Sequence, residues 1–209
     1  MLFRCCRRVQ MSYGGPCVTS SLPPDLEALD EAFAANERDA RALVDTLSDA
    51  QGTWRQAPGS WSVAECLDHL AVGNRVYLAA MEPSAARARA NGRMRRRPAQ
   101  PGLIGGWFVK SLEPPVNPRF TLRAPRTIVP RPSPPLADAS AAFFASHAQV
   151  RAFLQASADL DLAGVHFPNP FIRGVRFSLA TGLHVLAAHE RRHLWQASNV
   201  ARATPNAAR

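Results

Sequence analysis

The chain has 209 residues, 46% hydrophobic and 20% charged, which suffices for one packed core and excludes disorder throughout. No apolar run reaches the roughly 20 residues of a membrane-spanning helix. A net charge of +9 and a pI near 10.8 invite a nucleic-acid partner, so where the charge sits matters. Lys110 is the sole lysine, and 18 prolines accompany the arginines, a compositional bias that need carry no function. Residues 1–20 hold three arginines and residues 85–101 hold six, with no acid in either segment, so the rest of the chain is formally neutral. This distribution argues against a nucleic-acid partner, and no helix-turn-helix, zinc-finger or RNA-binding signature is present.

Residues 1–20 carry Arg4, Arg7 and Arg8 without the apolar stretch of a signal peptide. They are expected to form a disordered extension, with Met11 as an alternative start. Cys5, Cys6, Cys17 and Cys66 show no paired CxxC spacing, which points to a reducing, cytoplasmic compartment.

A folded domain is expected over residues 21–205. Pro23-Pro24-Asp25 opens a first helix in which Leu26, Leu29, Phe33, Leu43, Val44 and Leu47 keep helical spacing up to Gln51-Gly52. After a loop over Gly52–Ser60, a second helix begins at Ser62 and runs to Pro83. Ser62 and Glu65 there have the spacing of a capping box. Residues 85–135 then read as a long crossover, with arginines at 87, 89, 93, 95, 96 and 97, a short apolar helix over Leu103–Leu112, and eight prolines from Pro114 to Pro135. The arginine run reads as a solvated loop. Connections this long often line a site. A third helix is expected from Leu136 to about Leu160, then a loop over Phe167–Gly174, and a fourth helix from the cap at Ser178 to about Arg202. Four such helices with one long crossover between the second and third make an all-α four-helix bundle.

The chemistry concentrates in two places. In the fourth helix His189 and His193 stand four apart, which at about 100° per residue puts both on one face, one turn from each other. A single helix offers two imidazoles to one metal ion in this way. His69 of the second helix can supply a third from a facing helix. Three neutral imidazoles suit Zn, Ni or Fe and leave a position for water or substrate. His184 turns away from that face and reads as a packing or hydrogen-bonding residue, and His147 and His166 have no partner at a useful spacing.

The segment Trp61-Ser-Val-Ala-Glu65, then His69-Leu70, followed late in the chain by His189-x-Arg-Arg192-His193-Leu-Trp-Gln196, resembles the DinB-like superfamily of metal-binding helical bundles. Pro168-Asn-Pro170-Phe171 is similar to the linker that members carry before the last helix. The resemblance covers about residues 24–202. It implies a four-helix bundle with the crossover between helices two and three, and a divalent metal held by His69, His189 and His193. Well-understood relatives use that metal to activate a low-molecular-weight thiol, such as mycothiol or bacillithiol, and commonly pair as homodimers. The implied partner is a small-molecule substrate, a thiol or, in a hydrolase variant, water; the implied activities are S-transfer and hydrolysis.

Neighbouring residues carry two readings each. Glu65 is a general base or metal-shell acceptor, or it is the capping partner of Ser62. Gln196 bonds a metal-bound water or an imidazole, or it packs in the bundle. Asp68 has a surface position by default. Arg191 and Arg192 bind an anionic substrate or pair with helix neighbours. Trp61 and Trp195 read as core or interface aromatics, and Cys66 as a small buried hydrophobe. A bundle that binds metal without catalysis, and an arginine-loop binder of anions, stand as alternatives.

Overall fold

In the computed structural model, residues 22–115 and 124–205 are described. The extension expected over residues 1–20 lies outside them. Helix α1 (Pro24–Val44) starts with proline in its first turn, where a missing N–H costs nothing, and with Asp25 and Glu27 at the positive end of the helix dipole. It buries Leu26, Leu29, Phe33, Asn36 and Ala40 along one stripe. It stops seven residues short of the expected Gln51. A second, short helix, α2 (Asp49–Thr53), begins on its own capping box, with the Ser48 hydroxyl accepting from the Gln51 N–H and Gln51 Oε1 accepting from the Ser48 N–H. The apolar spacing of Leu43, Val44 and Leu47 runs across the turn and hides this break.

Helix α3 (Val63–Ala90) begins at Ser62, whose capping box with Glu65 is formed as expected. It does not end at Pro83 but continues seven residues beyond it. Pro83 has no N–H to give the Ala79 carbonyl, and both residues are exposed, so the loss falls on the solvent side of the helix. Most of the residues of α3 from Val63 to Gly73 are buried, because α5 and α6 cover it on two sides.

The crossover opens at Asn91. Helix α4 (Leu103–Leu112) packs on α6 and leaves Leu103, Ile104 and Trp107 exposed. A 3-10 turn over Arg126–Ile128 then lies against α3. The arginine run is solvated as expected, with Arg95 alone half-buried, and parts of it are also tied to the bundle. Arg95 pairs with Asp25, Arg97 with Asp161, and Arg89 donates to the Ala156 carbonyl. The formally neutral bundle thus supplies the acids that hold the basic segment.

Helix α5 (Leu136–Ala156) ends four residues before the expected Leu160, which instead makes an antiparallel bridge with Met94. The loop expected over residues 167–174 is framed by a small hairpin, β1 (His166–Pro168) and β2 (Arg176–Ser178), with Phe167 opposite Phe177. Helix α6 (Leu179–Ala203) follows directly, capped by the Ser178 hydroxyl on the Thr181 N–H at 3.0 Å. The four long helices α1, α3, α5 and α6 form the all-α bundle. No helix among the described residues is long and apolar enough to cross a membrane.

Two apolar clusters fill the bundle. One includes Phe33, Met81, Leu154, Phe167 and Leu183. The other includes Leu67, Leu70, Phe143, Leu194 and Ala197. A polar layer separates them along all four helices, with Asn36 on α1, Asn74 on α3, His147 on α5 and Glu190 on α6.

Candidate metal centre

Helix α3 supplies His69 and α6 supplies His189 and His193, and one ring nitrogen from each lies within 4.8 Å of the others. His69 Nε2 and His189 Nε2 are 3.1 Å apart. In a tetrahedral site with Zn–N bonds of about 2.0–2.1 Å, ligand nitrogens stand about 3.3 Å apart, so this edge of the triangle is already near the length an ion requires. The close approach of α3 to α6 here depends on Gly73, whose missing Cβ would sit 3.3 Å from His189 Cε1.

Two of the rings are held so that Nε2 is the free nitrogen. His69 Nδ1–H donates to the Ile128 carbonyl at 2.6 Å. His193 Nδ1–H donates to Gln196 Oε1 at 3.0 Å. Each bond fixes a tautomer and turns the lone pair of Nε2 toward the centre of the triangle. Burial lowers the pKa of His69 against the pull of the Ile128 carbonyl and Asp68. Burial, then the charges of His69 and Arg192, push His189 down to about 3. His193 is held well below its usual value, first by burial and then by His189. The three rings are thus neutral bases at physiological pH, the form in which imidazole binds a metal. His189 keeps part of its surface open.

The family assignment rests on the whole span that carries these residues. A family model described as the DinB superfamily matches residues 32–197. The chain belongs to the DinB superfamily. No curated protein and no solved structure matches it. DinB-like proteins are metal-binding, and the three-histidine cluster fits that property.

The remaining candidates of this DinB protein separate clearly. Gln196 reaches an imidazole, His193. Glu65 is 3% exposed, and its carboxyl accepts from the Ser62 N–H at 2.9 Å and from both Nε and Nη2 of Arg55, the contacts of a cap. Cys66 is buried, which pushes its thiol pKa up and leaves it an unreactive core residue. Arg191 pairs with Glu113, with Nε at 2.9 Å from the carboxyl. Arg192, three residues from His189, has only the Ser111 carbonyl at 3.5 Å as a partner among the described residues. His184 Nε2–H donates to the Ala99 carbonyl and ties α6 to the crossover.

Two expectations, those for Asp68 and His147, need correction, and one, that for Trp61, is extended. Asp68 is not a surface residue; it is 1% exposed and accepts from the Arg131 N–H, Nε and Nη2 at 2.8, 2.9 and 2.7 Å. Together Asp68 and His69 fasten the crossover to α3. Trp61 packs on the core as expected, and against the imidazoles as well. Its ring lies 4.7 Å from that of His69 and 5.7 Å from that of His193, so it walls the cluster. His147 is 1% exposed and donates through Nδ1 to both oxygens of Glu190 at 3.1 Å. Glu190 also accepts from Asn36 Nδ2 at 3.1 Å and Asn74 Nδ2 at 2.9 Å. The polar layer is therefore one hydrogen-bonded knot of all four helices. Spacing could not reveal it, because each member stands on a different helix.

Proposed function

We propose that this protein is a divalent-metal-dependent enzyme acting on a small molecule, with Zn, Ni or Fe held by His69, His189 and His193. The observation that carries this reading is the donor set: three neutral imidazoles, one fewer than the four protein ligands of a closed structural zinc site. Such an ion, when bound, supplies Lewis acidity that lowers the pKa of a thiol or of water near neutral pH. The chain's own residues do the rest. The Ile128 carbonyl and Gln196 hold two rings in the metal-binding tautomer. Trp61 covers His69 and His193 and limits water there. Arg192, on the ligand-bearing side of α6 and without a carboxylate partner among the described residues, can take an anionic group of the substrate. Thiol transfer is the leading reaction and hydrolysis the second.

The test is cobalt substitution of the purified protein. Cobalt should bind one to one, and a low-molecular-weight thiol should add an intense sulfur-to-metal charge-transfer band that water-loaded protein lacks. A spectrum already complete and unchanged by any thiol or small anion would indicate a closed site that pins two helices without catalysis.

A further inference from the structure

Part of the arginine run is not used up by the internal pairs described above. Between the C-terminal end of α3, the turn before β1 and the hairpin lies a cavity of about 220 Å³. Ser84, Arg87, Asn91, Arg93, His166 and Arg176 line it, and no aspartate or glutamate does. It shares no residue with the imidazole cluster.

The three guanidiniums project from fixed backbone. Arg87 belongs to the last turn of α3. The Arg93 N–H donates to the Ala88 carbonyl at 2.9 Å, and the Arg93 carbonyl accepts from the Asp161 N–H at 3.0 Å. Arg176 sits in β2, opposite Pro168. Few of their donors are engaged. Arg87 Nη2 donates to Ser84 Oγ at 3.1 Å, and Arg176 Nη2 donates to the His166 carbonyl at 2.8 Å. The carboxylate nearest to Arg93, Asp161, is 4.0 Å away and already holds Arg97 at 3.3 Å and the Gly164 N–H at 3.0 Å. Each guanidinium carries five N–H donors, so most of them remain open. A concave surface lined by one sign of charge focuses its field, and planar guanidinium forks match the oxygens of a phosphate.

We propose that this cavity binds a small phosphorylated ligand, with the phosphate seated between Arg87, Arg93 and Arg176. The cavity is smaller than the roughly 300 Å³ lower bound of a drug-sized pocket, which suits a phosphate or diphosphate group. An extended nucleic-acid track is disfavoured because the flanking Arg95 and Arg97 are spent on Asp25 and Asp161.

The experiment is calorimetric titration of the full-length protein with inorganic pyrophosphate and, separately, a single-stranded oligonucleotide. Pyrophosphate should bind with saturation at one site. Arg87→Ala, Arg93→Ala and Arg176→Ala should each weaken it about tenfold, the loss expected for a charged hydrogen bond. Arg96→Ala is the control, since it removes the same charge from the same run outside the cavity, and it should leave the affinity within about twofold. Any alanine variant that fails to fold is replaced by the lysine variant, which keeps the charge but loses the fork and should still bind measurably more weakly. No saturable pyrophosphate binding, or equal weakening by Arg96→Ala, overturns the proposal. Tighter binding of the oligonucleotide, sensitive to Arg96, replaces the small ligand with a nucleic acid.

Discussion

His189 and Glu190 are adjacent in sequence, point to different sides of α6, and meet opposite fates. Glu190 is 0% exposed and accepts from three donors on three other helices. Its needs are met by the protein. His189 faces two more neutral bases, so the cluster offers three lone pairs and supplies no acceptor for them. A buried carboxylate surrounded by donors ties the elements that carry them together, whereas buried polar groups that all offer the same thing mark a place for something else. The difference lets one helix turn do both jobs.

The comparison can be broken outright by exchanging the losses. His189→Ala or His193→Ala should abolish stoichiometric metal by elemental analysis, while the metal-free protein keeps its stability within about 1 kcal/mol. Unchanged metal content would remove the three-histidine site. Glu190→Ala should do the reverse. It strands the N–H donors of Asn36, Asn74 and His147 in the core and should cost about 3 kcal/mol or more in urea unfolding. A smaller loss than that of His189→Ala would make the polar layer ornamental.

Acid sharpens the contrast next. For metal-free protein, the folded pKa of His189 is about 3 against 6.5 for the free side chain. Between those values the unfolded chain binds a proton there and the folded chain does not. Stability should therefore rise with pH through that window and fall as the pH drops from 6.5 toward 3. Urea midpoints measured across the window should show a shallower slope in His189→Ala. The smallest effect belongs to Gln196→Leu, which frees the His193 ring to turn and should weaken metal binding about 10- to 100-fold in a chelator competition, with the fold intact.

Much of this was legible in the sequence because it is local. The capping box of Ser62 and Glu65, the cap at Ser178 and the four-residue spacing of His189 and His193 each need only one helix to be recognised. What escaped depends on distant partners or on main-chain atoms. Pro83 reads as a stop, yet a proline on an exposed helix face loses one bond on the solvent side and the helix survives. His147 has no partner nearby in sequence, and its hydrogen-bond partner is on α6. Asp68 reads as a surface acid because its arginine stands far along the proline-rich crossover, 63 residues away. Trp61 precedes its helix, and only the folded turn before Ser62 brings it over the rings.

The hydrogen bond from His69 to residue 128 has a consequence for how such proteins can diverge. The acceptor is a peptide carbonyl, so the bond depends on where the main chain runs rather than on a polar side chain. Inserting or deleting a residue nearby would move it and let the ring flip. The crossover is therefore constrained in length near residue 128, where the buried Ile128 side chain also anchors it, the reverse of what a surface loop usually tolerates.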